Sequence, residues 1–139
     1  MQVHQIMSSP AQTIGSDQTI GAATLLMKQF DIGSLPVLQS GGRVVGMITD
    51  RDIVLGLAKN ASAQLSMEVG QMMTRSVLRC YADQSIETIA VIMSDNQVRR
   101  LPVMDRFERL VGVVSVGDIA EDASERLAGE ILGEIVETR

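Results

Sequence analysis

Cysteine and histidine are almost absent from this chain: Cys80 and His4 each stand alone. A single cysteine permits no internal disulfide, so a reducing compartment is expected. The two side chains together fall short of the usual ligand set of a metal site, and His4 lies near a terminus expected to be mobile. With no other histidine to act as base, no acyl-transfer triad can be assembled. Lysine is nearly as scarce. Lys28 and Lys59 are the only two, and neither a Walker lysine nor Gly-x-Gly-x-x-Gly occurs. Tryptophan is missing, and Phe30, Tyr81 and Phe107 are the only aromatics, so aliphatic residues and nine methionines must fill the core. No apolar run reaches the roughly 18–20 residues of a membrane span, and no basic segment precedes an apolar one at the N-terminus. A soluble, cytoplasmic, non-enzymatic protein is the expectation. The acid pairs Asp50/Asp52 and Glu121/Asp122 read as helix-start and solvated charges, not as a general acid and base.

Charge is unevenly spread. The net charge is −5, and residues 121–139 contribute −4 of it, with six acids against Arg126 and Arg139. Ten of the twelve bases are arginine. Arginine suits bidentate phosphate contacts, although codon bias explains the same count. No basic stripe is present and the isoelectric point is near 4.8, so nucleic acid is not an expected partner.

What the chain does have is a duplication. A shift of 66 positions lays residues 3–58 on 69–124 without a gap and gives 15 identities in 56 pairs. Leu35-Pro36-Val37 falls on Leu101-Pro102-Val103, Gly46 on Gly112, and Asp52-Ile53 on Asp118-Ile119. Thr49 meets Ser115, which keeps the hydroxyl. Cys80 meets Ile14, which argues for a buried, apolar role. A period of this length marks two copies of one structural unit. With about 56 residues each, neither copy would bury much surface alone, and packing of one on the other is expected.

Each copy reads β-α-β-β-α. In the first, residues 2–8 lead in and Gln12–Ile14 is extended. A helix capped by Asp17 or Thr19 runs over 19–30, with Ile20, Ala23, Leu26, Met27 and Phe30 at helical spacing. Strands Leu35–Leu38 and Arg43–Ile48 flank the turn Gln39-Ser40-Gly41-Gly42. Thr49 then caps a helix to about Lys59, with Ile53, Val54, Leu57 and Ala58 on its buried side. The second copy repeats this: extended Val77–Cys80, a helix over 85–96, strands Leu101–Met104 and Leu110–Ser115, and a helix from Val116. That helix is expected to run on almost to the C-terminus along Ile119, Ala123, Leu127, Ile131 and Ile135, widened by Leu132 and Val136. Gly129 and Gly133 weaken it and favour a break near 129. The domains are therefore 1–60 and 69–124, joined by a polar linker 61–68 and followed by an acidic amphipathic helix 125–139. The fold class is α/β (α+β), two pseudo-symmetric repeats forming one layered module.

Thr/Ser-x-x-Asp at a helix start has two readings. One is N-capping, in which the hydroxyl accepts a backbone N–H and the acid complements the helix dipole, at about 1 kcal/mol. The other directs the same free N–H groups outward to a phosphate, with the aspartate accepting from ribose hydroxyls. The Leu-Pro-Val strand about 13 residues earlier bears on the choice, because proline removes one donor and fixes φ, giving a strand entry whose neighbouring backbone groups are open to a ligand; the residues alone leave both readings standing.

The hydrophobic-x-hydrophobic-Pro-Val strand, the Val/Ile-Gly-hydrophobic strand and the Thr/Ser-x-x-Asp-Ile helix start, written twice in this order, resemble a tandem pair of CBS (cystathionine-β-synthase) domains, a Bateman module. The resemblance covers about residues 1–124. It implies a first site with Thr49 near phosphate, Asp52 on the ribose, Gly33, Ser34, Leu35 and Pro36 around the base, and backbone from Thr13 and Ile14, with Arg51 also among its residues. It implies a second with Ser115, Asp118, Arg100, Leu101 and Pro102, and backbone from Arg79 and Cys80. Where the first copy has Gly33-Ser34, the second has Arg99-Arg100. These arginines obstruct the base pocket, reach a phosphate, or lie solvated, and the residues leave all three open.

The resemblance further implies a regulatory sensor that binds an adenine nucleotide or adenosine-containing ligand (AMP, ADP, ATP, NAD or S-adenosylmethionine) in the cleft between repeats. No catalytic cofactor is implied. An interaction module with vestigial clefts is the alternative. With 139 residues, an effector would be a separate protein. A homodimer is expected, since tandem CBS modules commonly pair through their helices into a disc of four domains. Ile20, Leu26, Ile86, Ile89 and Ile92 look too many for one internal seam, and the tail stripe adds to them. The alternative is a tail that folds back on its own domain.

Overall fold

In the computed structural model, which describes residues 1–60, 62, 64–75 and 78–137, both copies follow the β-α-β-β-α order. The first comprises β1 (Ile14–Gly15), α1 (Ile20–Phe30), β2 (Ser34–Leu38), β3 (Val44–Thr49) and α2 (Asp50–Lys59). The second comprises β4 (Cys80–Tyr81), α3 (Ile86–Asn96), β5 (Arg100–Met104), β6 (Leu110–Ser115) and α4 (Val116–Asp122), followed by α5 (Glu125–Glu137). Ala61 and Ala63 of the expected linker, Val77 of the expected strand, and Thr138 and Arg139 of the tail lie outside the described residues.

Local chemistry sets the element boundaries. The Thr19 hydroxyl accepts the Ala22 N–H at 3.1 Å and starts α1, which ends at Asp31 in the left-handed region (φ 52°). Ser85 and Gln97 (φ 54°) do the same for α3. Each sheet has three strands, ordered β1-β2-β3 and β4-β5-β6. The helix crossover makes β1 parallel to β2, whereas the short turn makes β2 antiparallel to β3. Gly41 and Gly42 take that turn with φ of 90° and 83°, where side chains are disfavoured.

The chain forms two compact units, residues 12–77 and residues 1–11 with 78–139. The lead-in segments therefore cross over. Val3, fully buried, belongs to the core built by the second copy, with Ile89, Leu101 and Ile119. Its N–H donates to Gln84 O at 3.0 Å. Val69, also fully buried, joins Ile20, Leu35 and Ile48 of the first copy, and its N–H donates to Gln18 O at 2.8 Å. Thus His4, expected near a mobile end, sits in a short 3₁₀ turn whose backbone N–H donates to Ala82 O.

This crossover explains a glycine that both copies keep. A side chain at Gly46 would strike the Thr74 carbonyl, and a Cβ at Gly112 would stand 2.6 Å from Ser8 O. Gly112→Ala is expected to destabilise by about 1–3 kcal/mol, as overpacking does. Denaturant unfolding measures it; a loss below about 0.5 kcal/mol, the usual range of surface changes, would mean that the Ser8 segment yields freely.

Three expectations are corrected. Of the α2 residues placed inside, only Ile53 is buried; Val54 is 64% exposed, Leu57 37%, and Ala58 is exposed. The inward arc instead runs from Ile53 to Gly56, where a Cβ would meet the Met72 sulfur at 2.9 Å. The tail helix does not continue α4. The chain breaks at Ala123–Ser124, the Ser124 hydroxyl accepts the Leu127 N–H at 3.1 Å, and α5 runs unbroken through Gly129 and Gly133. The new helix folds back onto α3 and α4, burying Ala128, Ile131 and Ile135. Finally, Ile20, Ile86 and Ile89 are core residues, with Leu26 and Ile92 packed against the same cores. Of the five, only Leu26 and Ile92 keep part of their surface exposed.

Candidate functional site

Strand register brings the paired motif residues together. Ser34 is the ladder partner of Thr49, and Arg100 that of Ser115. At the start of α2, Asp52 N–H donates to Thr49 Oγ1 at 3.0 Å and Thr49 N–H donates to Asp52 Oδ2 at 3.0 Å. Ser115 and Asp118 repeat this reciprocal cap at 3.1 and 2.8 Å. Both readings of the motif start from this geometry, because the cap fixes the carboxylate. The free N–H groups expected for a phosphate are corrected at α2, where Asp50 N–H donates to Gly33 O at 3.0 Å and Arg51 N–H to the Asp50 carboxylate at 2.8 Å.

The copies then diverge. The Thr74 hydroxyl donates to the Asp52 carboxylate at 3.3 and 3.4 Å. Ser8 holds the matching place in the second unit, yet among the described residues Asp118 receives no such bond. Asp50 N–H donates to Gly33 O at 3.0 Å, and the Asp50 carboxylate lies 3.0 Å from where a Gly33 Cβ would sit. In the second copy Val116 replaces Asp50, so no acid faces Arg99 there. Arg99 and Arg100 are exposed and have no ion-pair partner among the described residues.

Several other expected site residues offer backbone only. The side chains of Ile14, Leu35, Cys80 and Leu101 are buried in the cores. Pro36 and Pro102 sit between them on the ladder, paired with Met47 and Val113. Burial pushes the Cys80 thiol up to about 12, and its S–H points to Pro102 O at 3.7 Å, which makes it unreactive. Thr13 precedes Ile14 at the β1 edge, and Arg51 is exposed on α2.

Two features escaped the sequence reading. The Arg79 side chain is held by Glu108 at 2.8 Å, and the Tyr81 hydroxyl donates to the same carboxylate at 2.6 Å. That bond raises the Tyr81 phenol above its ordinary value. Arg106 stacks 4.3 Å from the Tyr81 ring centroid and pairs with Asp83, holding that carboxyl below its usual range. The signal was the charged turn Asp105-Arg106-Phe107-Glu108 standing where the first copy has Gln39-Ser40-Gly41-Gly42. The second feature is a cleft of about 310 Å³ between α2 and the segment around Val69, lined by Leu55, Gly56, Lys59, Met67, Gln71 and Met72, with Asp52 at its edge. Asp52 alone among the expected site residues touches it.

Among the described residues no three His, Cys, Asp or Glu side chains gather as a metal site, and no helix is long and apolar enough to cross a membrane.

Duplicated three-stranded sheets and mirrored Thr/Ser-Asp caps define a class. The CBS domain family matches residues 3–59 and 69–125, and the chain belongs to that family as a tandem pair. It is 37% identical over 121 residues to hypoxic response protein 1 of Mycobacterium tuberculosis, covering 86% of this chain and 83% of that protein. It is 36% identical over 135 residues to the CBS domain-containing protein YhcV of Bacillus subtilis, covering 96% and 94%. Among solved structures, the CBS domain pair of protein MJ0100 in complex with 5-methylthioadenosine and S-adenosyl-L-methionine superposes with a TM-score of 0.77 at 32% identity, covering 86% of this chain and 97% of that one.

Proposed function

We propose that this protein is a cytoplasmic regulatory module, not a catalyst, that binds an adenosine-containing ligand and signals to a separate effector. The observation that carries the reading is the pair of reciprocal caps, Thr49–Asp52 and Ser115–Asp118, each set by strand register beside the residue expected at the base. The adenosyl ligands bound by the MJ0100 domain pair, at 32% identity, support the ligand class. The Thr49 or Ser115 hydroxyl would meet phosphate or its substitute, with Arg51 beside the first. Asp52 and Asp118 would take the ribose. Gly33, Ser34, Pro36, Arg100 and Pro102, with backbone of Thr13, Ile14, Leu35, Arg79, Cys80 and Leu101, would frame the base. AMP, ADP, ATP, NAD and S-adenosylmethionine are the candidates.

A thermal-shift panel of these five compounds tests the proposal. A bound ligand at 100 times its dissociation constant adds about 2.7 kcal/mol of stability. No shift with any of them would favour the second reading, an interaction module with vestigial clefts. One observation supports that alternative: Asp52 already accepts from Thr49 and Thr74.

The arginines separate the two copies. Arg99 and Arg100, without an ion-pair partner among the described residues and beside Ser115, favour a phosphate-bearing ligand at the second site. Affinity is then expected to rise from mono- to triphosphate and to fall with added salt. Arg100→Ser should flatten that dependence. If it instead adds a binding equivalent by calorimetry, the wild-type arginine blocks the pocket. We also propose a homodimer, now on the apolar residues that remain exposed on the helices.

A further inference from the structure

The cleft between α2 and the segment around Val69 meets the expected sites only at Asp52, and all its walls come from the unit of residues 12–77. Glycine makes the room. A Cβ at Gly56 would stand 2.9 Å from the Met72 sulfur, so the bare backbone there lets Met72 lie against the helix. Met72, Met67 and the 41% exposed Leu55 give the cleft an apolar lining, and its volume of about 310 Å³ suits a small organic molecule.

The polar side chains along its rim are donors. Lys59 is exposed and has no ion-pair partner among the described residues. Asn60 Oδ1 accepts the Ser62 N–H at 3.0 Å and the Ser62 hydroxyl at 2.7 Å. Gln71 Oε1 accepts the Glu68 N–H at 3.0 Å. A backbone N–H can only donate, so each amide spends its oxygen on the chain and keeps its NH2 to give. Asp52, the acid at the edge, already accepts from the Thr49 N–H and the Thr74 hydroxyl. It lies two turns of α2 from Lys59, about 10 Å along the helix.

Donors over a thioether floor call for an anion on an apolar body. A carboxylate takes the Lys59 ammonium and the amide N–H groups, and an aryl ring lies well against methionine sulfur. The second copy supplies the contrast. Glu121, Asp122 and Glu125 stand there in place of Leu55, Gly56 and Lys59, so the duplicated position repels an anion.

We propose that this cleft binds a small arylalkyl carboxylate, one per chain, with its charge at Lys59 and its ring over Met67 and Met72. The adenosyl reading is not required for it.

The test is a titration of the full chain, carbon-13-labelled at its methionine methyls, with phenylacetate and no nucleotide. Met67→Leu and Met72→Leu identify the two resonances. Saturable shifts confined to Met67 and Met72 are expected. Phenylacetamide, which keeps the ring and lacks the charge, should bind at least about tenfold more weakly, and so should acetate, which lacks the ring. Lys59→Gln and Asn60→Asp should each weaken phenylacetate about tenfold. The second keeps the oxygen that Ser62 uses and replaces the donor with a charge. Both positions are exposed, so circular dichroism should stay unchanged. Equal affinity for phenylacetamide, or wild-type affinity in either variant, overturns the proposal. Shifts that do not saturate, or that spread over the other methionines, overturn it too. With no nucleotide present, none of these results bears on adenosyl binding.

Discussion

Asp52→Asn is expected to weaken adenosyl-ligand binding roughly 10- to 100-fold while the melting temperature hardly moves. A hydrogen bond to a charged group is worth about 1.5–3 kcal/mol, and 1.4 kcal/mol is tenfold in affinity. The amide oxygen of asparagine can still accept the Thr49 N–H that Asp52 now takes at 3.0 Å. The cap persists and only the charge is lost. Asp52→Ala removes both, and should add a stability loss of about 1 kcal/mol. Calorimetric titration of the two variants with the nucleotide selected by thermal shift separates the roles. Wild-type affinity in Asp52→Asn would confine Asp52 to starting the helix and bracing Thr74.

Ile131→Ala should cost about 2–5 kcal/mol in denaturant unfolding, as large-to-small changes in a packed core do. Ile131 is fully buried among Ile89, Met93 and Ile119, so truncating it opens a cavity between α5 and the helices beneath. The result would show that the tail is part of the second unit's core and not an appendage. A loss below about 0.5 kcal/mol, typical of a surface position, would mean that α5 is only loosely docked.

Much of the architecture was readable because it is local. Thr49 and Asp52 are three residues apart, and their cap needs nothing beyond the helix it starts. Gly41-Gly42 dictates its turn in the same way. Which core a lead-in segment enters is not local. Val3, Gln5 and Met7 match Val69, Gln71 and Met73 residue for residue, so a comparison of copies cannot tell one destination from the other. The end of α4 was missed because an apolar stripe runs through it. Ser124, a good N-cap residue, was the overlooked sign, and the glycines were over-weighted as breaks. On α2, periodicity found an apolar arc, but Met72, from a distant segment, decides which edge of that arc is inside. For the candidate site, register and caps were legible. The Glu108 clamp on Arg79 was not, because it joins residues that meet only when β4 pairs with β5.

The crossed lead-in segments give the molecule an order of completion. As the chain is made from its N-terminus, residues 12–60 emerge before Val69, the residue that fills their core. Met1–Ala11 emerges before them and must wait for residues 78 onward to receive it. A segment made before the first unit is therefore seated after it. Cutting the protein at the boundary between its repeats would not yield two native halves, because each would keep the other's plug.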